Sequence, residues 1–150
     1  MNEDKKIFIA ADHAGFELKE NLKKHFYKLG FEVLDMGNEK LEPADDYPDF
    51  VVPLAKKVAE SVGCFGIIIG GSGQGEAMAA NKIKGIRAAV IYDEYSARMS
   101  RMDNDANIAS FGARAIGTED AKKLAELWIK TPFSGEDRHK RRIVKVDELA

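Results

Sequence analysis

The chain has 150 residues, 45% of them hydrophobic and 32% charged, enough to bury the core of one ordinary soluble domain over 1–150. A formal net charge of −2 argues against a bulk electrostatic partnership with nucleic acid and leaves room only for a local basic patch. The single cysteine, Cys64, excludes an intramolecular disulfide and a cysteine-based zinc site, and it reads as an inert small hydrophobe. The opening M-N-E-D-K-K is no signal peptide, and no stretch approaches the roughly 20 apolar residues of a membrane span. The cytoplasm is therefore the expected location.

Apolar runs of strand length alternate with helix-length amphipathic segments. Lys6–Ala11 reads as a buried strand, and Gly15–Leu29 as a helix with Phe16, Leu18, Leu22, Phe26 and Leu29 near helical spacing. Gly30 stops that helix. Glu32–Met36 is a second strand, followed by a polar loop over 37–48 with Pro43 and Pro48 and a helix over 49–61. Phe65–Ile69, nearly all apolar, reads as a central strand, and Glu76–Ile83 as a short helix. Arg87–Ile91 is a fourth strand, Glu94–Met102 a helix, and Ile108–Phe111 a fifth strand. Thr118–Lys130 is a helix with Thr118 as its N-cap. The segment 137–149 alternates basic and apolar residues and reads as a docking tail. Five strand–helix repeats predict an α/β fold: a doubly wound, mostly parallel five-stranded sheet with helices on both faces, Rossmann-like in outline.

Ligands of such sheets sit outside the carboxyl ends of the strands. After strand one come Asp12 and His13; after strand two, Asp45, Asp46 and Tyr47; after strand three, G-G-S-G-Q-G-E (70–76). After strand four comes Y-D-E-Y, whose helix ends near M-D-N-D-A-N (102–107), and after strand five F-G-A-R with Arg114. The expectation is that these polar groups gather at one rim. The glycine loop is no dinucleotide fingerprint, since Glu76 stands where a third glycine is needed, and no G-K-[ST] closes it as a P-loop. Its glycines instead let N–H groups converge, and a helix opening near Glu76 adds its positive end. Glu76 is then favoured in its ionised state beside an oxyanion cradle, a pairing suited to proton abstraction next to a carbonyl. The alternative is a tight strand–helix turn with an acidic first-turn residue.

The tail contains R-H-K-R-R (138–142). On a helix, Arg138 and Arg142 share a face, with His139 beside Arg142, and guanidinium forks match phosphate oxygens. A solvated basic face or a nucleic-acid contact is the other reading. His13 is either a substrate contact beside Asp12 or a hydrogen-bonded histidine at a helix entry. His25, among charged residues, reads as surface.

Taken together, these segments resemble the type-B ribose-5-phosphate isomerases and the galactose-6-phosphate isomerase subunits grouped with them. The marks are A-D-H-A-G-F-E-L-K (11–19), D-Y-P-D (46–49), G-G-S-G-Q-G-E (70–76), A-A-N-K (79–82), G-I-R-A (85–88), N-D-A-N (104–107) and F-G-A-R (111–114). T-P-F-S-G and R-H-x-x-R within 131–142 complete them. The resemblance implies a metal-free, cofactor-free aldose–ketose isomerase of a phosphorylated sugar, working through a cis-enediolate. It implies Glu76 as base, in place of the cysteine that another subtype carries at position 70, here Gly70. It implies Ser72 with the N–H groups of Gly71, Gly73 and Gly75 as the enediolate cradle. Asp12, His13, Tyr47 and Asn104 match substrate contacts, and Arg114, Arg138, His139 and Arg142 match the phosphate site. It also implies a homodimer or pair of dimers with shared sites, so that the basic tail serves a neighbouring chain. One position departs: the resembled enzymes have a ring-opening histidine where this chain has Asp103. Either Asp103 opens the ring less well, His13 assists, opening occurs in solution, or the substrate needs none. A tetrose 4-phosphate, for instance, has O4 esterified and cannot close the usual five-membered ring.

Overall fold

The structure, a computed structural model, describes residues 5–149. Five strands run Lys6–Ala11 (β1), Glu32–Asp35 (β2), Phe65–Gly70 (β3), Ala88–Val90 (β4) and Ile108–Gly112 (β5). Six helices run Phe16–Lys28 (α1), Pro48–Glu60 (α2), Gln74–Ala80 (α3), Glu94–Met102 (α4), Thr118–Lys130 (α5) and Asp137–Asp147 (α6). A single 3₁₀ turn, His13–Gly15, joins β1 to α1. The sheet order is β2-β1-β3-β5-β4, and every ladder is parallel. β3 is central as expected, and all six of its residues are buried.

Strand alternation divides the core into two layers. Ile7, Ile9, Ile67 and Ile69 pack with Leu18, Leu22 and Phe26 of α1 and Leu124 and Trp128 of α5. Phe8, Ala10, Ile68 and Ile108 point the other way, onto Val51, Leu54 and Val58 of α2 and Ala80 of α3. Consecutive residues serving opposite faces are what make these strands read as continuous apolar runs. Gly30 ends α1 at φ 90°, and the Phe31 N–H donates to the Phe26 carbonyl at 3.1 Å.

Three local expectations change. Thr118 is not the N-cap of α5. Gly117 holds that place, its carbonyl accepting from the Ala121 N–H at 2.9 Å, so Thr118 already lies inside the helix. α3 opens at Gln74, two residues ahead of Glu76, because Gly73 can adopt the left-handed φ of 80° that turns the chain into the helix. The tail is a true helix, α6. No helix among the described residues is long and apolar enough to cross a membrane.

The chain leaves β1 for β2 on one side and returns to β3 on the other. The reversal opens a crevice above the carboxyl ends of β1 and β3, where Asp12 and the glycine loop emerge.

Candidate active site

The glycine loop is held from below and from the side. Buried Ser110 donates its hydroxyl to the Gly73 carbonyl at 2.7 Å, and the N–H groups of Ala113 and Arg114 donate to Gly70 and Gly71 at 2.8 and 3.0 Å. Ser72 Oγ accepts from the Gln74 N–H at 3.2 Å, which stiffens the turn. Around this loop lies a cleft of about 480 Å³ lined by Tyr47, Gly71, Ser72, Gly75, Glu76 and Arg114. Glycine is required here for space as well as for turning. A Cβ on Gly75 would stand 2.5 Å from the Tyr47 hydroxyl, and one on Gly71 would stand 2.9 Å from Arg114 Nη1.

Glu76 borders this cleft yet is only 4% exposed. Burial pushes its carboxyl above the ordinary range; the backbone N–H groups of Glu76 and Gly73 pull it down, and the Asp12 charge adds to the rise. Burial thus works against the ionised form that the helix end was expected to favour. A carboxyl with a raised pKa is better matched to general-base chemistry near neutral pH than an ordinary one.

Gly70 is the structural condition for this placement. A Cβ there would fall 1.7 Å from Glu76 Oε1, so a side chain at 70 and the Glu76 carboxylate claim the same space. A cysteine at 70 and a glutamate at 76 are therefore alternative ways of filling one point. Gly70→Ala is expected to lower turnover by about 100-fold by displacing the carboxylate roughly an ångström or more, with the melting temperature nearly unchanged. Full turnover in the variant would show that Glu76 does not act from this position.

Asp12, 7% exposed, caps the 3₁₀ turn, with Oδ1 accepting from Ala14 and Gly15 at 3.0 and 3.2 Å. His13 meets Asp45, a rim residue to which the resemblance assigns no role: Nδ1 lies 2.7 Å and the backbone N 3.0 Å from Asp45 Oδ1. Asp12, His13 and Asp45 bring ligand atoms within 4.8 Å of one another, close enough for a cation, although all three already make hydrogen bonds within the protein. Lys19 was missed as well. It is fully buried against Asp35, on the α1 stripe that also carries Leu22 and Phe26, and a lysine on that stripe was the available signal.

The other candidates do not reach this cleft. Asp103 and Asn104 follow α4, and a helix returning from one parallel strand to the next runs back to the sheet's opposite end. There the Arg87 Nε donates to the Asn104 carbonyl at 2.9 Å, just ahead of β4, and Arg101 lies 4.9 Å over the ring of Phe65, the first residue of β3. The expected single rim is thus two ends: Asp12, His13, Tyr47, Ser72, Glu76 and Arg114 at one, Asp103 and Asn104 at the other. α6 lies with the second group. His139 is 6% exposed, its Nε2 3.3 Å from Asp103 Oδ1, and Asp147 takes Arg87 Nη1 at 3.1 Å. Arg138 and Arg142 are exposed, and Arg138 leans on Glu136 at 2.8 Å.

A sequence profile described as Ribose/Galactose Isomerase matches residues 7–146. The ribose-5-phosphate isomerase B of Escherichia coli is 41% identical over 145 residues, covering 97% of this chain and 96% of that protein. Among solved structures, the type B ribose 5-phosphate isomerase of Trypanosoma brucei superposes with a TM-score of 0.93 at 39% identity, over 97% of this chain and 99% of that one. The ribose-5-phosphate isomerase B of Mycoplasma genitalium, solved with bound ribulose-5-phosphate, gives 0.93 at 37% identity over 97% and 96%.

Proposed function

Because the chain belongs to the ribose/galactose isomerase family, we propose that it interconverts ribose 5-phosphate and ribulose 5-phosphate. The observation that carries this reading is the Glu76 carboxylate, nearly buried beside a cleft that loop glycines and the Arg114 guanidinium also line. Glu76 removes the proton on C2 of the open aldose. The electron pair becomes the C1–C2 double bond of a cis-enediolate, and negative charge moves onto O1. The O2 proton passes to O1, and Glu76 returns its proton to C1, leaving the carbonyl of the ketose at C2. The N–H groups of Gly71 and Gly75 and the Ser72 hydroxyl, which border the cleft, stabilise the enediolate oxygens, which carry charge only in the reacting state; the Gly73 N–H, buried and turned to the Glu76 carboxylate, does not join them, contrary to expectation. Asp12, His13 and Tyr47 hold the sugar, and Arg114 faces its phosphate.

Asp103, Asn104, Arg138, His139 and Arg142 come from a second copy of the chain, in a homodimer or pair of dimers with shared sites. Their place at the far end of the sheet supports this, because strands of five or six residues separate the two ends by roughly 17–20 Å. His139 beside Asp103 supplies an imidazole close to the position where the resembled enzymes open the ring.

The test is a coupled assay over four-, five- and six-carbon aldose and ketose phosphates. Turnover should be greatest with ribose 5-phosphate; preference for a tetrose 4-phosphate or hexose 6-phosphate would reassign the substrate. Binding without turnover would make the chain a phosphosugar-binding protein. In the same panel, Asp103→His should speed substrates that close a ring and leave the tetrose 4-phosphate unchanged. An equal effect on both would remove residue 103 from ring opening.

A further inference from the structure

His13 is the end of a connected set of hydrogen bonds that begins inside the protein. The Lys19 ammonium, fully buried, donates to Asp35 Oδ1 and Oδ2 at 2.9 and 2.8 Å and to the Asn38 carbonyl. Lys23 adds a second cation on Asp35 Oδ2 at 2.7 Å, and Glu20 meets both lysines at 3.6 and 3.1 Å. A buried lysine without such acceptors would be strongly destabilising, so the segment 35–38 is tied down by the requirement to satisfy it. The same segment is stitched to the exit of β1, with the Ala11 N–H on the Gly37 carbonyl at 2.8 Å and the Asn38 N–H on the Ala11 carbonyl at 3.0 Å. Asn38 is thereby delivered beside the 3₁₀ turn, where its Nδ2 donates to Asp45 Oδ2 at 3.2 Å. Asp45 Oδ1 receives both the ring Nδ1 and the backbone N–H of His13.

Burial acts against the ionised Asp45, yet the hydrogen bonds from His13 and Asn38 hold its carboxyl below the usual range. An ionised carboxylate only accepts, so the ring atom facing it must carry hydrogen. The other charged group beside the ring is Asp12, already engaged as the turn's cap.

The geometry points to Asp45, braced by Asn38 and the buried Lys19, as a positioning residue that fixes His13 in the Nδ1–H form and leaves Nε2 to accept from a hydroxyl of the bound phosphosugar. This rests on the reading of His13 as a sugar contact. It gives the half-exposed imidazole one donor and one acceptor face in advance of binding, so the ordering is complete before the sugar arrives.

Imidazole ¹⁵N shifts of the ligand-free protein, with His13 assigned through His13→Asn, read the tautomer directly. Wild type should show hydrogen on Nδ1. Asp45→Ala should move it to Nε2, the form free imidazole prefers, and raise the KM for ribose 5-phosphate about ten-fold with a smaller change in kcat. Asp45→Asn keeps one acceptor oxygen but adds a donor, so it should restore the tautomer and the KM only in part. Asn38→Ala, which removes only the brace, should give a partial shift of the same sign. Hydrogen on Nε2 in wild type, or unchanged shifts and KM in Asp45→Ala, would overturn the assignment. The shifts need no substrate. If wild type turned over no sugar phosphate, the proposed isomerisation would fail while the role of Asp45 in setting the tautomer would still be decided.

Discussion

Glu76→Gln is expected to abolish exchange of the substrate C2 proton with solvent and to lower turnover by roughly 10²–10⁴-fold, while the phosphosugar still binds. Glutamine keeps the shape of the side chain and its contact with Gly70 but cannot take a proton. Proton–deuterium exchange at C2, followed by NMR in deuterated buffer, separates this from a binding defect; persistent exchange in the variant would assign the base elsewhere. The same substitution should stabilise the fold. A buried carboxyl with a raised pKa binds more protons folded than unfolded, so the wild type loses stability as pH rises from about 4.3 through the raised value. The variant's advantage should accordingly grow as pH rises through the raised value and vanish below about pH 4.3. Activity lost and stability gained in one substitution is the signature of a group held in its place for chemistry rather than for folding. The acid limb of kcat/KM for the wild type should fall above the ordinary carboxylate range for the same reason.

The legibility of this fold and site follows from which forces act locally. β1 and the ends of α4 and α5 could be read from apolar periodicity, because burial alone dictates their side chains. The start of α3 could not, since it depends on the left-handed φ at Gly73, and glycine states only that such a turn is allowed. The glycine loop, Glu76, Tyr47 and Arg114 were found because the carboxyl ends of parallel strands converge by topology. The same rule, carried along α4 to its far end, wrongly put Asp103 and Asn104 on that rim; a helix of nine residues reverses the direction of the chain. Asp45 lay within the D-D-Y-P motif, but nothing in a linear pattern tells which of two aspartates reaches a histidine 32 positions away. Lys19 was legible in principle, as a charge on an apolar stripe, though what satisfies it comes from the distant Asp35 and Asn38.

The division of candidate residues between two ends of the sheet has a consequence that mixing can expose. In the proposed homodimer with shared sites, Glu76→Gln would remove the base from one half-site, and Arg142→Ala a phosphate ligand from the other. Each homodimer then carries two defective sites. In a dimer made of one chain of each kind, both defects fall in the same shared site, and the second site receives Glu76 from one chain and Arg142 from the other. Random reassembly of equal amounts makes about half the dimers mixed, each with one intact site of two, so about a quarter of wild-type activity should return. The two proteins must be dissociated and reassembled together; mixing them without exchange should return nothing. Sites completed within single chains would give no recovery, because neither variant could supply what its own chain lacks. Recovery with Arg142→Ala but not with Arg114→Ala would further separate the two arginine sets, since Arg114 lines the same cleft as Glu76 and its loss travels with the chain that owns the base. In that pairing the mixed dimer has one site lacking Glu76 and the other lacking Arg114, and neither can regain full activity.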